Sequence, residues 1–409
     1  MKLFHEWSTA DFEAKTMGVK ELSEIPVLLQ LKNITKEYPG VKALNNVTID
    51  VRCGEVHGLL GENGAGKSTL IKVLSGAIRP NAGEIIVEGK SYEYMTPALS
   101  ESLGIGVVYQ EFNLMPAMTV VENIFIGQEQ RKYKVLYDRK RMVQRAKEIF
   151  EDMGVLIDPN AQIRTLSVAY QQLTEIAKAI SRNLKVLVMD EPTAPLTNAE
   201  VETLFKVVRR LQEKGIAIIF ISHRMEEIFK LTDRVSVLRD GNYIITADTK
   251  SIDAETLIRH MINRQMTTYY PERHATFGEV ALEIRHFYLK DGYIKDVNLQ
   301  VRKGEILGLG GLVGAGRTEV ARGIVGADPL QAGQVFVNGK EVTIKNPRDA
   351  LEYGIVYLPE DRKNYGLHLN RTIKDNLSFP SLKEISHFGL IDNKREKVLS
   401  NKQIQSLKI

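Results

Sequence analysis

The chain has 409 residues, of which 43% are hydrophobic and 26% are charged, which is the composition of an ordinary globular protein. Its 55 basic and 51 acidic residues leave a net charge of only +4, and aromatic residues make up 7%. We therefore expect no nucleic-acid partner, because such a surface needs a basic stripe or stacked aromatic side chains. The length allows two or three domains, each with its own core.

The sequence also argues against export and against a membrane span. Cys53 is the only cysteine, so no intrachain disulfide can form and a reducing compartment is expected. No apolar run approaches the ~20 residues that cross a bilayer. The first residues, MKLFHEWSTADFEAK, carry charges throughout and lack the apolar core of a signal peptide. These features predict a cytoplasmic protein.

One unit is written twice in this chain. Residues 54–59 (GEVHGL) recur as residues 304–309 (GEILGL), an offset of 250, and the GAG at 64–66 recurs at 314–316. A period this long indicates a duplicated domain rather than a solenoid. The predicted organisation is an N-terminal extension at 1–26, a first domain at 27–265, a linker at 266–280 and a partial second domain at 281–409.

Strands and helices alternate along the first domain, which predicts an α/β fold with a largely parallel sheet. Residues 56–60, 185–189 and 216–222 are apolar runs of the kind that form strands buried on both faces. Apolar residues at helical spacing predict one helix around Leu173–Ile180 and another around Val201–Leu211.

The strand at 56–60 leads into GENGAGKS and then into a helix, which is the full context of a phosphate-binding P-loop. Glycines let backbone N–H groups turn toward phosphates, and the start of the helix adds partial positive charge. The lysine reaches the β- and γ-phosphates, and the serine hydroxyl helps to hold Mg²⁺. The candidate nucleotide-binding residues are Gly61, Glu62, Asn63, Gly64, Ala65, Gly66, Lys67, Ser68 and Thr69.

Two further strands end in residues suited to hydrolysis. The run VLVM delivers Asp190 and Glu191, of which the first would bind Mg²⁺ through water and the second would orient or deprotonate the attacking water. His223 follows the strand at 216–222, where a sensor of the γ-phosphate would lie.

Together these residues resemble an ATP-binding cassette (ABC) ATPase. By that resemblance Tyr38 stacks on adenine, Gln110 links Mg²⁺ to the transport pore, and His223 is the switch histidine. Residues 166–172 (LSVAYQQ) lie where the family has its LSGGQ signature, which makes Ser167 a phosphate contact. The resemblance implies a P-loop NTPase fold, an ABC-type nucleotide-binding domain with a helical subdomain and a partial second copy. It also implies ATP and Mg²⁺ as cofactors, with Ser68, Gln110 and Asp190 at the metal.

From about residue 28 onward the chain resembles the double-cassette subunit of bacterial simple-sugar importers of the ribose, galactose and xylose type. Stretches such as EFNLMPAMTVVENIFIGQE, GLVGAGRTEV and PEDRKNYGL carry this resemblance. It implies two transmembrane permease subunits, an extracytoplasmic sugar-binding protein and a second cassette as partners. The expected location is the cytoplasmic face of the cell membrane, and the permease would dock after Gln110.

Some residues depart from the family pattern. Val168, Ala169 and Tyr170 replace two glycines and a glutamine in the signature, and Arg317 replaces the lysine of the second P-loop. Both changes fall on the same composite site, because each P-loop is closed by the signature of the facing domain. We expect that site not to hydrolyse nucleotide efficiently. Thr197 replaces an aspartate, but TNAE still predicts a capping box.

Applied to Ser167 and Asp190, the offset gives positions 417 and 440, beyond Ile409. The second domain is therefore expected to lack a signature, an acidic strand and a switch histidine, as in a C-terminally truncated subunit. Two alternatives stay open at this point. The chain could bind ATP with little or no turnover, or it could be a soluble ABC ATPase that acts on ribosomes or DNA.

Overall fold

A computed structural model describes residues 25–109, 112–128, 131–132, 136–262, 276–312 and 314–407. The chain divides into two compact units, Met1–Tyr269 and Tyr270–Ile409. The predicted extension at 1–26 and linker at 266–280 lie largely outside the described residues, and their limits stay predictions. Within those ranges, no helix combines the length and the apolar character that spanning a bilayer requires.

The first unit alternates strands and helices. Its strands are β1 (Val27–Tyr38), β2 (Val41–Arg52), β3 (Val56–Leu60), β4 (Ala82–Val87), β5 (Lys90–Tyr92), β6 (Ile105–Val108), β7 (Arg131–Lys132), β8 (Leu136–Tyr137), β9 (Val186–Asp190), β10 (Ala217–Ile221), β11 (Arg234–Arg239) and β12 (Asn242–Asp248). Its helices are α1 (Lys67–Leu74), α2 (Pro97–Ser102), α3 (Val120–Phe125), α4 (Arg139–Met153), α5 (Val168–Ile180), α6 (Asn198–Glu213), α7 (Met225–Leu231) and α8 (Ala254–Ile262).

The main sheet has six strands in the order β12-β11-β3-β10-β9-β6. All neighbours in it run parallel except β11 and β12. Successive residues of its central strands face opposite sides: Leu187 and Met189 enter one core cluster, while Val186 and Val188 enter the other. Continuous apolar runs form these strands because both faces are covered. The predicted α/β fold with a largely parallel sheet is confirmed.

A second sheet, β2-β1-β4-β5, is antiparallel and was not predicted. Its long strands β1 and β2 join at the short turn after Tyr38 and bury Leu29, Leu31 and Leu44 against the second core cluster. This hairpin matters for the site because β2 passes beside the loop that follows β3.

Between β6 and β9 the chain forms a helical segment of α3, α4 and α5, whose buried faces include Ile124, Phe150 and Ile176. Farther along, α6 begins with the predicted capping box: the backbone N–H and the hydroxyl of Thr197 both donate to Glu200 Oε2, at 2.9 and 2.8 Å. The helix start that the sequence predicted at 197–200 is therefore confirmed.

The second unit repeats only part of this plan. Its strands are β13 (Val280–Leu289), β14 (Val297–Arg302), β15 (Leu330–Val337), β16 (Lys340–Val342), β17 (Ser386–His387) and β18 (Leu390–Ile391). Its helices are α9 (Arg317–Ile324), α10 (Pro347–Glu352), α11 (Ile373–Ser378), α12 (Leu382–Ile385) and α13 (Asn393–Leu407). The sheet order β14-β13-β15-β16 matches β2-β1-β4-β5 of the first unit.

The parallel sheet has no counterpart among the described residues of the second unit. Residues 305–312 and 355–358, which correspond to β3 and β6 with the start of the P-loop, form no strand. Ile306 is 84% exposed and Val356 75% exposed, whereas Val56 is fully buried. In the first unit β3 pairs with β10 and β11.

Replacing Phe220 by alanine should lower the free energy of unfolding of the first unit by about 3–5 kcal/mol. Phe220 is fully buried in β10 and meets the ring of Phe205 edge-on, with ring centroids 6.2 Å apart. Urea unfolding followed by circular dichroism measures the change. Phe229→Ala, at a position 37% exposed, is the matched control and should cost far less. Equal losses in the two variants would contradict the placement of Phe220 at the centre of the core.

Candidate nucleotide-binding site

Three chain segments meet at one edge of the parallel sheet. In the register of the sheet, Ile221 of β10 lies between Asp190 of β9 and Leu59 of β3. Parallel strands place their carboxyl ends at the same edge, so the segments after Leu60, Asp190 and Ile221 emerge together. The P-loop, the acidic pair and His223 are therefore neighbours through the topology of the sheet.

The shape of the P-loop depends on glycine at two tight positions. Gly66 has φ 103°, and a Cβ there would lie 2.6 Å from the carbonyl oxygen of Ala43 in β2. A Cβ on Gly61 would lie 2.4 Å from the carbonyl oxygen of Leu238. Gly64 also has a left-handed φ, of 86°, but no atom of the described residues lies within 4 Å of its Cβ position. The loop is packed on its protein side and open at Gly64.

Lys67 begins α1 and folds back over the loop. Its Nζ donates to the carbonyl oxygens of Gly61 and Glu62, at 2.7 and 3.0 Å. Burial lowers the pKa of Lys67, and the negative charges of Glu191 and Asp190 oppose that shift. A half-buried cation thus sits beside two carboxylates, at the position that a phosphate group would approach.

Asp190, at the end of β9, lies in an unfavourable environment for its negative charge. Burial raises the pKa of Asp190, and the neighbouring charge of Glu191 raises it further, against the opposing effects of Lys67 and Lys72. Two adjacent carboxylates at a partly buried strand end form a site that a cation would stabilise.

Among the described site residues outside the P-loop, only Glu191 has a left-handed backbone, at φ 48°. Its N–H donates to the carbonyl oxygen of Ile221 at 3.0 Å, which ties the ends of β9 and β10 together. Its Oε1 lies 3.4 Å from Nδ1 of His223, whose side chain is 62% exposed. The predicted base and the predicted sensor therefore contact each other. Non-glycine residues in this backbone region are uncommon and concentrate at functional sites.

Glu227, a buried residue of α7, was not among the residues predicted from the sequence. The hydroxyls of Thr193 and Ser222 both donate to its Oε2, at 2.8 and 2.6 Å. One of these partners follows Glu191 and the other precedes His223. Nothing in the local pattern of MEEIFKL distinguishes this acid from its neighbour Glu226, because its hydrogen-bond partners follow two different strands, and Thr193 is 34 positions away.

A second buried network supports the opposite end of β3. Glu55 is fully buried, and its Oε1 accepts from Arg234 Nε at 2.8 Å and contacts His57 Nδ1 at 2.8 Å. Burial raises the pKa of Glu55, but the hydrogen bonds and charges of His57 and Arg234 outweigh it and lower the pKa to about 2. His57 Nε2 in turn lies 2.8 Å from Ser236 Oγ. These contacts join β3 to β11.

The remaining predicted residues lie at varied distances from this edge. Tyr38 is at the end of β1, 41% exposed, in the hairpin whose Ala43 contacts the P-loop. Ser68 and Thr69 are in the first turn of α1. Ser167 is the exposed N-cap of α5 and borders a cavity of about 170 Å³ whose other lining residues belong to α5, α6 and the turn before α6. Gln110 lies outside the described residues.

The second P-loop has the same turn as the first, but no strand precedes it among the described residues 305–312. Gly314 and Gly316 have φ 80° and 86°, and α9 begins at Arg317 as α1 begins at Lys67. The phenol oxygen of Tyr293 lies 3.7 Å from the Cβ position of Gly314, where the first P-loop is open.

The parallel sheet, the P-loop, the acidic strand end and the inserted helices define an ABC-type ATPase cassette. The ABC transporter family matches residues 44–194 and 294–408. A nucleotide-free ATP-binding cassette from an ABC transporter has a similar structure, with a TM-score of 0.52 and 29% identity over 60% of this chain and 100% of that one. A cassette in its ADP conformation is 28% identical with the same TM-score, over 58% of this chain and 100% of the other.

Two curated relatives are similar over most of the chain. A putative ribose/galactose/methyl galactoside import ATP-binding protein of Agrobacterium fabrum is 46% identical, over 95% of this chain and 77% of that protein. A ribose import ATP-binding protein of Lactococcus lactis subsp. lactis is also 46% identical, over 90% of this chain and 74% of the other. The chain therefore belongs to the ABC transporter family, which confirms the fold and the ATPase class predicted from the sequence.

The two P-loops should differ sharply when each is substituted. Lys67→Ala should abolish ATP binding, because Lys67 supplies the cation of the supported loop, while Arg317→Ala should change it little. Equilibrium binding of a fluorescent ATP analogue to the purified chain measures both. Equal losses would sink the assignment of the nucleotide site to the first unit.

Asp190→Asn should stabilise the nucleotide-free protein at pH 7. An acid whose pKa is raised on folding destabilises the folded state once the pH exceeds its unfolded pKa, and this effect is complete above the folded pKa. The gain should therefore shrink as the pH falls toward 3.8, the ordinary pKa of the group. Thermal unfolding between pH 7 and 4.5 tests this, with Asp240→Asn at an exposed turn as the control. A gain that does not vary with pH would contradict a destabilising charge on Asp190 as its cause.

Proposed function

We propose that the chain is the ATP-hydrolysing subunit that energises import of a simple sugar of the ribose or galactose type through a membrane permease. The observation that carries this proposal is the meeting of Lys67, Asp190, Glu191 and His223 at one edge of the parallel sheet. The import proteins that are 46% identical over at least 90% of the chain support the choice of solute class.

The described residues suit the steps of ATP hydrolysis. The P-loop N–H groups and Lys67 bind the phosphates, and Tyr38 stacks on the adenine. Glu191 orients and accepts a proton from the attacking water. His223, in contact with Glu191, senses the γ-phosphate and keeps the base in place. Lys67 compensates charge that develops on the phosphate oxygens, in a site that already holds it away from bulk water.

Mg²⁺ fits the donor set at this edge. The Ser68 hydroxyl is a hard oxygen ligand of the kind that this ion prefers, the Asp190 carboxylate would hold the ion through water, and Gln110 is the remaining proposed ligand. Burial, with the neighbouring charge of Glu191, raises the pKa of Asp190, and a bound cation would oppose that shift. When bound, the ion would neutralise charge on the β- and γ-phosphates.

The proposed working site is shared with a second cassette, either a second subunit or a dimer partner. Ser167 at the start of α5 is exposed, as a residue that meets the nucleotide of a facing domain must be. Val168 and Tyr170 are also exposed, at 39% and 44%. Their side chains occupy the surface where glycines would let the backbone approach phosphate closely, so this signature should close its partner site poorly.

The permease has a candidate docking place in the first unit. A cavity of about 250 Å³ lies between β6 and α5, and Tyr109 and Asn113, on either side of Gln110, contribute to its wall. The charged side chains in the lining are Glu101, Glu175, Lys178 and Arg182. We assign this cavity to a helix end from one of two transmembrane permease subunits, which in turn meet an extracytoplasmic sugar-binding protein. The subunit would then lie on the cytoplasmic face of the membrane.

Glu191→Gln should leave ATP binding within about twofold and reduce turnover by at least about a hundredfold, because the amide cannot accept the proton of the water. Phosphate release by the full chain measures turnover, and binding of the fluorescent analogue measures affinity. Glu202→Gln, an exposed position on α6, is the control. If the unsubstituted chain turns over no faster than the variant, the protein binds ATP without hydrolysing it and the non-catalytic alternative is correct.

A further inference from the structure

Two loops carry the predicted hydrolytic residues, and one buried carboxylate touches both. Thr193, two residues after Glu191, is 2% exposed, and Ser222, directly before His223, is 4% exposed. The hydroxyl of each donates to the same oxygen, Oε2 of Glu227, at 2.8 and 2.6 Å. Glu227 is itself only 6% exposed. The shared oxygen therefore connects the segment after β9 with the segment after β10.

The other contacts of Glu227 and Ser222 involve Arg224, an exposed residue at the start of α7. Ser222 Oγ accepts from the N–H of Arg224 at 3.1 Å, and Arg224 Nη1 lies 3.4 Å from Glu227 Oε1. The Ser222 hydroxyl thus receives one bond and donates another. His223 sits between these bonded residues with its side chain turned out to solvent and toward Glu191.

We propose that Glu227 is a positioning residue, which fixes Glu191 and His223 relative to each other so that hydrolysis can proceed. This inference rests on the proposed function, since it assigns a role within that reaction. Glu227 does not touch the reacting atoms. It acts through Thr193 and Ser222, each no more than two residues from the group that it places.

Packing alone does not account for a carboxylate at this point. A leucine would fill the same space without the cost of removing a charged group from water. What the carboxylate adds is direction, because the hydroxyl protons of Thr193 and Ser222 must both point at one oxygen. The left-handed backbone of Glu191 needs such a restraint, since a strained residue persists only when its surroundings hold it.

The two links can be cut separately without a large change of shape. Thr193→Val removes the hydroxyl on the Glu191 side, and Ser222→Ala removes the one on the His223 side. Each should leave ATP affinity within about twofold and lower kcat by about tenfold or more, because a misplacement of about 1 Å at a reacting group costs up to about a hundredfold. Substitution of a residue needed only for folding would not lower kcat while leaving ATP affinity unchanged.

The double variant tests whether the two single substitutions disturb one shared arrangement or act on kcat independently. If Glu227 must hold both loops at once, loss of either hydrogen bond already misplaces Glu191 relative to His223. The double variant Thr193→Val with Ser222→Ala should then lose about as much kcat as one single variant. Independent effects would multiply, and a double loss equal to the product of the two single losses would overturn the proposal. Unchanged kcat in both single variants would overturn it as well.

The neighbouring acid on the same helix gives a matched control. Glu226 is exposed, and Glu226→Leu should leave kcat unchanged. Glu227→Leu should lower kcat. Glu227→Gln should keep most of it, because the amide oxygen can still accept hydrogen bonds from both hydroxyls. Crystal structures of the Thr193 and Ser222 variants provide a readout that does not need turnover. They should show the separation of Glu191 Oε1 and His223 Nδ1 increased from 3.4 Å, with the P-loop unchanged.

The structural readout also keeps the two hypotheses apart. If the unsubstituted chain hydrolyses no ATP, the proposed function fails, and the variant structures alone then decide the role of Glu227. An unchanged separation in those structures would overturn the positioning role even if the chain proves to be an active ATPase.

Discussion

The parallel pairing of β3 with β10 is the contact on which the rest of the first unit depends. The register runs from Val56 opposite Ile218 to Leu59 opposite Ile221. It buries β3 between two cores, brings the P-loop level with the end of β10, and lets β9 add its acidic end on the other side. At the far end, Glu55, His57 and Arg234 join β3 to β11. The candidate catalytic groups at the sheet edge all take their positions from this pairing.

Comparison of the two units shows which features of a P-loop depend on neighbouring residues and which depend on distant strands. Its glycines adopt the same left-handed backbone and its helix starts at the matching residue, although no parallel sheet supports them among the described residues. The turn is therefore specified by a few consecutive residues. Burial of the strand before the P-loop and placement of carboxylates beside it are not specified locally, because both need strands that come much later in the sequence.

The same distinction explains which features could be predicted from the sequence. The P-loop, the apolar strand ending in Asp190 and Glu191, and the helix start at Thr197 are contiguous patterns with their own local physics, and they were predicted. Glu227 was missed because its partners Thr193 and Ser222 lie on other elements. Glu55 and Arg234 are 179 positions apart, so no window of sequence shows their contact. The antiparallel sheet was missed because alternation of strands and helices pointed to a single parallel sheet.

The left-handed backbone of Glu191 implies a trade-off between folding stability and the proposed turnover. At φ 48° a residue with a β-carbon costs roughly 1–2 kcal/mol relative to glycine, which adopts that region freely. Laboratory evolution that rewards heat resistance alone would therefore favour glycine at position 191, a substitution that relaxes the backbone and removes the proposed base in one step. If Glu191 has the proposed role, a more stable protein obtained in that way would still bind its nucleotide and would no longer cleave it.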